Sequence, residues 1–200
     1  MEARFFEEIE GVCRLRVPFE GIYTSVFLVE SNGKYILVDC PTNAKDVDEV
    51  IIPALTSYGV SVNEIVALVL THRHGDHAGG MDALLRYVPS LTVIDKAHCA
   101  LFEGVVTYPM AGHTVDSIGV LDTRTGTLIS GDSLQGGGVD KYPCYTQDPV
   151  QYEKTLARVT EDERIKNLLF SHAYEPWYAD RIFGRDGVTE CMKKCLEYIK

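Results

Sequence analysis

The chain has 200 residues, 46% of them hydrophobic and 24% charged, which suits one folded domain over 1–200 and excludes a disordered chain. Its formal net charge of −10 leaves none of the clustered Lys and Arg that nucleic-acid binding requires, so the expected partner is a small-molecule substrate. No apolar run approaches the ~20 residues of a membrane span, and the opening MEARFFEEIEGVCRL has no basic stretch ahead of an apolar one, so cytoplasmic residence without a membrane partner is expected.

In chain order, IYTSVFLVES, Asn32-Gly33 and KYILVD predict a hairpin, because Asn-Gly suits a tight turn with positive φ between two β-rich runs. From Ala44 to Tyr58 the apolar residues Val47, Val50, Ile51, Leu55 and Tyr58 recur at helical spacing; Gly59 stops the helix and Pro53 is expected to bend it. IVALVL is a short continuous apolar run, the pattern of a strand buried on both faces, and it ends at Thr71-His72. AGGMDALLRYV predicts a helix, LTVID a strand and KAHCALF a short helix; VVTYPM, SIGVLDT and TLISGD follow as strands. QDPVQYEKTLARV is an amphipathic helix with Pro149 in its first turn, NLLFSH a strand, and VTECMKKCLEYI a closing helix. Strands separated by helices, with hairpins as well as crossovers, predict a mixed α/β sandwich. The six cysteines show no CxxC pair, which predicts reduced thiols; Cys191 and Cys195, four apart on one helix, fit either a shared buried face or a redox or metal role.

The chemistry concentrates in Leu70-Thr71-His72-Arg73-His74-Gly75-Asp76-His77-Ala78-Gly79-Gly80, with three imidazoles and a carboxylate inside six positions. Imidazole is the commonest metal ligand at neutral pH, and a carboxylate adds the harder oxygen donor that divalent ions also accept. In an extended segment His72, His74 and Asp76 would point one way and His77 another, which suits two metals rather than one. Three further groups end strands or open loops: His113 after VVTYPM, Asp132 at the end of TLISGD, and His172 at the end of NLLFSH. Each alone reads as a satisfied polar group or a helix cap; together with the cluster they read as one site. His98, in KAHC, stands outside it as a structural or solvent-exposed residue.

HRHGDH at 72–77, GHT at 112–114, SGD at 130–132 and SH at 171–172, in that order, resemble the metallo-β-lactamase superfamily, which includes glyoxalase-II-like thioester hydrolases and lactonases. The resemblance implies a four-layer αββα sandwich of two mixed sheets flanked by helices, with His72, His74 and His113 on one metal, Asp76, His77 and His172 on a second, and Asp132 bridging. It implies hydrolysis of a small ester-like bond by water activated between the two ions, with Asp132 and Asp76 as the catalytic carboxylates and either Asp76 or a metal-bound water relaying a proton to the leaving group. Zinc is the expected metal, although the donor set also accepts iron or manganese. Asp39 matches an early aspartate that supports such a site from behind its ligands, or is simply a hairpin-end carboxylate. Tyr142, Tyr145, Tyr174, Trp177 and Arg181, in segments that follow proposed ligands, are candidate substrate contacts or covers of the core.

Two departures bear on substrate. Relatives read GHTPGS where this chain has Gly112-His113-Thr114-Val115-Asp116-Ser117, so the loop and its substrate choice are expected to differ. The stretch after His172 is expected to be too short for the helical domain by which glyoxalase II proper holds glutathione, and Asp132 stands where zinc β-lactamases lack a bridging aspartate, so β-lactam hydrolysis is not expected. The competing class is an iron-dependent oxidoreductase of the same fold, a persulfide dioxygenase or an oxygen reductase; the oxygen-reducing pattern has glutamate where His74 stands.

Overall fold

The computed structural model describes residues 3–134, 146–173 and 179–198. They fall into two compact units, Met1–Asp95 and Lys96–Lys200, each carrying one six-stranded mixed sheet and its helices.

In the first unit β1 (Phe6–Ile9), β2 (Val12–Phe19), β3 (Ile22–Ser31) and β4 (Lys34–Val38) are antiparallel neighbours, and β5 (Ile65–Val69) and β6 (Thr92–Ile94) continue the sheet in parallel. The expected hairpin is present: Ser31 pairs with Lys34, and Asn32 and Gly33 adopt φ of 52° and 72°, the two left-handed residues that a twist-matched turn requires. β1 and β2 were not legible, because Arg14 and Arg16 interrupt the apolar pattern. The fold absorbs both. Arg14 is fully buried, its Nε 2.6 Å from Glu8 Oε1, its Nη1 donating to Ser25 Oγ at 2.8 Å, and its guanidinium 4.8 Å from the Phe27 ring centroid. Arg16 lies within 5.1 Å of the Phe6 ring and 4.9 Å of the Tyr23 ring.

A parallel pair needs a crossover, and the helical pattern from Ala44 to Tyr58 supplies it between β4 and β5. Asn43 Oδ1 caps α1 (Ala44–Asp46) by accepting from Lys45 N and Asp46 N. A π-helical stretch, Val47–Ile51, leads into α2 (Ile52–Tyr58). The bend expected at Pro53 takes this form: Pro53 has no N–H to give, and the N–H of Ile52 reaches back five residues to the Val47 carbonyl. Gly59 ends the helix at φ 85° and donates to the carbonyls of Leu55 and Thr56. α3 (Gly75–Ala78) and α4 (Met81–Tyr87) join β5 to β6. Val47, Ile51, Leu55 and Leu84 cluster with Leu15, Leu28, Leu37 and Leu68 of the sheet, each large side chain contributing roughly 1.5–3 kcal/mol by leaving water.

In the second unit β12 (Arg181–Phe183), β11 (Asn167–Leu169), β10 (Thr127–Ile129), β9 (Ile118–Asp122), β8 (Val105–Pro109) and β7 (Ala100–Phe102) lie side by side in that order; only β10 and β11 are parallel. α5 (Pro149–Glu161), capped by Asp148 accepting from Gln151 N at 2.9 Å, carries that crossover, and α6 (Arg185–Tyr198) follows β12. Leu156 and Val159 of α5 pack with Leu121, Leu128 and Leu168 of the sheet and with Cys191, Met192 and Cys195 of α6, so the two cysteines share a buried face. Five of the six thiols are free; Cys144 lies outside the described residues. Burial, with the nearby Asp39 charge, pushes the Cys40 thiol up to about 12, which keeps it protonated and unreactive at neutral pH.

KAHCALF is not a helix. Ala100–Phe102 is β7, with Ala100 opposite Val106 across a turn in which Gly104 adopts φ 77°, and this pairing outweighs the helix preference of Ala and Leu. His98 is exposed at φ 64°, its N–H on the Thr107 carbonyl. Among the described residues no helix is long and apolar enough to cross a membrane.

Candidate metal centre

β5 delivers the histidine run at its C-terminal end: Leu70 N still bonds to Ile94 O, after which Thr71 to His74 are non-helical and Asp76 and His77 fall in the turn of α3. His72 Nε2 and His74 Nδ1 lie 3.0 Å apart. Two nitrogens bound tetrahedrally to one zinc at ~2.0–2.1 Å would be about 3.3 Å apart, so this spacing fits a shared ion. His77 Nε2 faces Asp76 Oδ2 at 3.7 Å, and the His72 and His77 ring centroids are 4.1 Å apart. His72 and His77 are buried; His74 and Asp76 are partly exposed.

Asp39, just past β4, holds this arrangement from behind. It is fully buried in the left-handed region at φ 64°. Its Oδ1 accepts from Thr71 N at 2.8 Å; its Oδ2 accepts from the Thr71 hydroxyl at 2.8 Å and lies 2.8 Å from His77 Nδ1. With the His77 proton held on Nδ1, the ring's lone pair is on Nε2, the atom turned toward Asp76. The backbone is stapled as closely: Cys40 N bonds to His77 O and Gly80 N to Cys40 O, and a Cβ on Gly79 would stand 1.9 Å from the Thr42 carbonyl oxygen. Only glycine allows that approach.

The second unit brings together His113, Asp132 and His172. Asp132 Oδ1 lies 3.2 Å from His172 Nε2, and Oδ2 lies 3.8 Å from His113 Nε2, so each carboxylate oxygen faces a different imidazole. Hydroxyls fix the segment that ends at His113: Ser133 Oγ donates to Met110 O, Thr155 Oγ1 to Ala111 O and Thr146 Oγ1 to Gly112 O, at 2.6–2.7 Å. Tyr152 Oη donates to Ser133 O, and Ser130 N to Leu169 O, tying the ends of β10 and β11 together. In the loop after His113, Thr114 Oγ1 donates to Asp116 Oδ1 at 2.8 Å and Thr114 N to Ser117 Oγ at 3.1 Å, so Asp116 and Ser117 close the turn.

Gly112, at φ 148°, lies against the Tyr152 ring, and an added Cβ would meet Tyr152 Cδ2 at 2.3 Å. Gly112→Ala is therefore expected to destabilise the protein by on the order of 3 kcal/mol or more. Chemical denaturation of the two proteins checks this; coincident midpoints would mean that Tyr152 yields without strain.

Tyr142, Tyr145, Tyr174 and Trp177 lie outside the described residues. Arg181 is exposed on β12 with its guanidinium 5.9 Å from the Phe183 centroid. Arg185, in the same stretch, gives its guanidinium to the carbonyls of Val159, Thr160 and Ile165 and pins the end of α5. Reading the sequence missed Thr71, Ser133, Thr146 and Thr155, whose hydroxyls orient ligand-bearing segments. Thr71 and Ser133 adjoin His72 and Asp132, a signal available in the motifs; Thr146 and Thr155 carry none.

Residues 20–104, which contain Asp39 and the histidine run, match the family model of the metallo-β-lactamase superfamily. A hydroxyacylglutathione hydrolase of Chromohalobacter salexigens is 28% identical over 185 residues, covering 79% of this chain and 69% of that protein. An uncharacterized protein, YobT, of Bacillus subtilis is 30% identical over 154 residues, covering 56% of this chain and 63% of its own length, less than two thirds. The metallo-β-lactamase FIM-1 of Pseudomonas aeruginosa superposes with a TM-score of 0.74 at 20% identity, covering 98% of this chain and 96% of the other, and shares its fold. The family model of the metallo-β-lactamase superfamily thus falls on the segment that carries Asp39 and His72 to His77, and the fold of a metallo-β-lactamase is matched along nearly the whole chain.

Proposed function

We propose that the chain is a binuclear metal-dependent hydrolase of a small ester-like substrate, a thioester or a lactone. In this reading, which carries the resemblance over to this chain, His72, His74 and His113 would hold one ion, Asp76, His77 and His172 a second, and Asp132 would serve both. The observation that carries it is Asp132: a carboxylate whose two oxygens face two different histidines has the form of a bridge between two ions. Donor chemistry supports it as well, since five imidazoles and two carboxylates suit borderline divalent ions, zinc first among them.

Two such ions supply a nucleophilic water near neutral pH and polarise the scissile carbonyl. The chain's own residues do the rest. Asp39 fixes the tautomer of His77, the hydroxyls of Ser133, Thr146 and Thr155 hold the approach to His113, and Asp76, partly exposed, moves a proton toward the leaving group. The thioester preference draws on the hydroxyacylglutathione hydrolase relative.

The test is elemental analysis of protein expressed without added metal, followed by a panel of thioesters, lactones, esters and phosphodiesters. Two equivalents of metal with thioester or lactone turnover are expected. A fully loaded protein that turns over nothing in the panel would sink the reading, and oxygen uptake with a persulfide by one-iron protein would replace it with the redox alternative.

A further inference from the structure

Between the Asp39 carboxylate and the rings of His72 and His77 sits one hydroxyl, that of Thr71, a side chain with 1% of its surface exposed. It has one proton and, as an acceptor, its lone pairs. The proton is committed: Thr71 Oγ1 donates to Asp39 Oδ2 at 2.8 Å. Toward His72 Nδ1, 3.2 Å away, the same oxygen can therefore act only as an acceptor, and the pairing exists only if His72 carries its proton on Nδ1. The lone pair then lies on Nε2, the atom 3.0 Å from His74 Nδ1. Asp39 acts on His77 directly through the same oxygen.

We propose that Thr71 is a positioning residue that relays Asp39 to His72, so that one buried carboxylate sets the tautomers of two histidines, His77 directly and His72 through a hydroxyl. That these histidines serve different ions rests on the two-metal reading; the tautomers do not. Loss of the hydroxyl releases His72 and leaves His77 bonded to Asp39, whereas loss of the carboxylate releases both.

Thr71→Val is close to isosteric and removes the hydroxyl, with its contacts to Asp39, to His72 and, at 3.4 Å, to His77 Nδ1, which keeps its shorter bond to Asp39; Thr71→Ser restores the hydroxyl. Long-range proton–nitrogen NMR on chelator-stripped protein at pH 8 reads the tautomers without any activity. In the wild type and Thr71→Ser, His72 is expected as the Nδ1–H form; in Thr71→Val it shifts toward Nε2–H while His77 stays Nδ1–H. Competition with a chelator for zinc then follows each equivalent, and a loss of roughly 10–100-fold is expected for one of them in Thr71→Val, with the serine variant near wild type. Wild-type His72 protonated on Nε2, or a valine variant that matches the wild type in both measurements, would overturn the proposal. If Thr71→Val does not fold, the wild-type and serine spectra decide. A wild type that takes up no zinc but shows the expected tautomers would remove the two-metal reading and leave the relay standing.

Discussion

Asp132→Ala is expected to abolish turnover, lowering kcat/KM by ~10³-fold or more, because it removes the one donor proposed to touch both ions and with it several kcal/mol of transition-state stabilisation. The structure makes this a clean experiment. The backbone on either side of Asp132 is held by groups the substitution leaves alone, Ser130 N on Leu169 O and Ser133 Oγ on Met110 O. The melting temperature of the metal-free protein should therefore change little while metal content falls below two equivalents. Elemental analysis beside steady-state kinetics on the hydrolysed substrate checks both halves. Turnover within a few-fold of the wild type would remove Asp132 from the machinery, and unchanged turnover with one metal retained would reassign the site as mononuclear.

Asp39→Asn should have the next largest effect, and on two observables at once. The wild-type carboxylate serves Thr71 N, the Thr71 hydroxyl and His77 Nδ1 with its two oxygens. An amide offers one oxygen and two N–H donors, so at least one of these partners meets a donor instead of an acceptor. A buried pairing broken this way destabilises by about 1–3 kcal/mol, more where a charged group is involved. Metal affinity should fall by roughly 10–100-fold as His77 loses its orienting partner. Asparagine tolerates the left-handed region that Asp39 occupies at φ 64°, so backbone strain does not confound the result as it would for alanine. Denaturation midpoints and zinc competition measure the two effects, and an asparagine variant with wild-type zinc affinity would show that the carboxylate does not orient the ligand.

What the sequence made legible follows from how local each signal is. Asn32-Gly33 fixes a turn by φ alone, and IVALVL announces a buried parallel strand by length and composition, so β3, β4 and β5 were readable. The candidate donors stood out because the chain has only six histidines and most of them fall in one run or after a strand. β2 was hidden by Arg14, whose burial depends on Glu8, Ser25 and Phe27, partners that no window over β2 alone can pair. β7 was misread because its residues favour helix in isolation and its strand state is created by β8. Thr71 was in plain view as the first letter of THRHGDH; its role lies in a contact with a carboxylate 32 residues earlier.

The strand order of the two sheets has a kinetic corollary. In both, every strand pairs with the one before or after it in the chain, so no ladder waits on closing a loop across a strand that has yet to join. The longest segment to be looped within the first sheet is the helical connection from β4 to β5, and closure entropy grows only with the logarithm of such a length. Pairing can thus follow the order of synthesis, with β4, which leads to Asp39, in place before the strand that presents His72 is added.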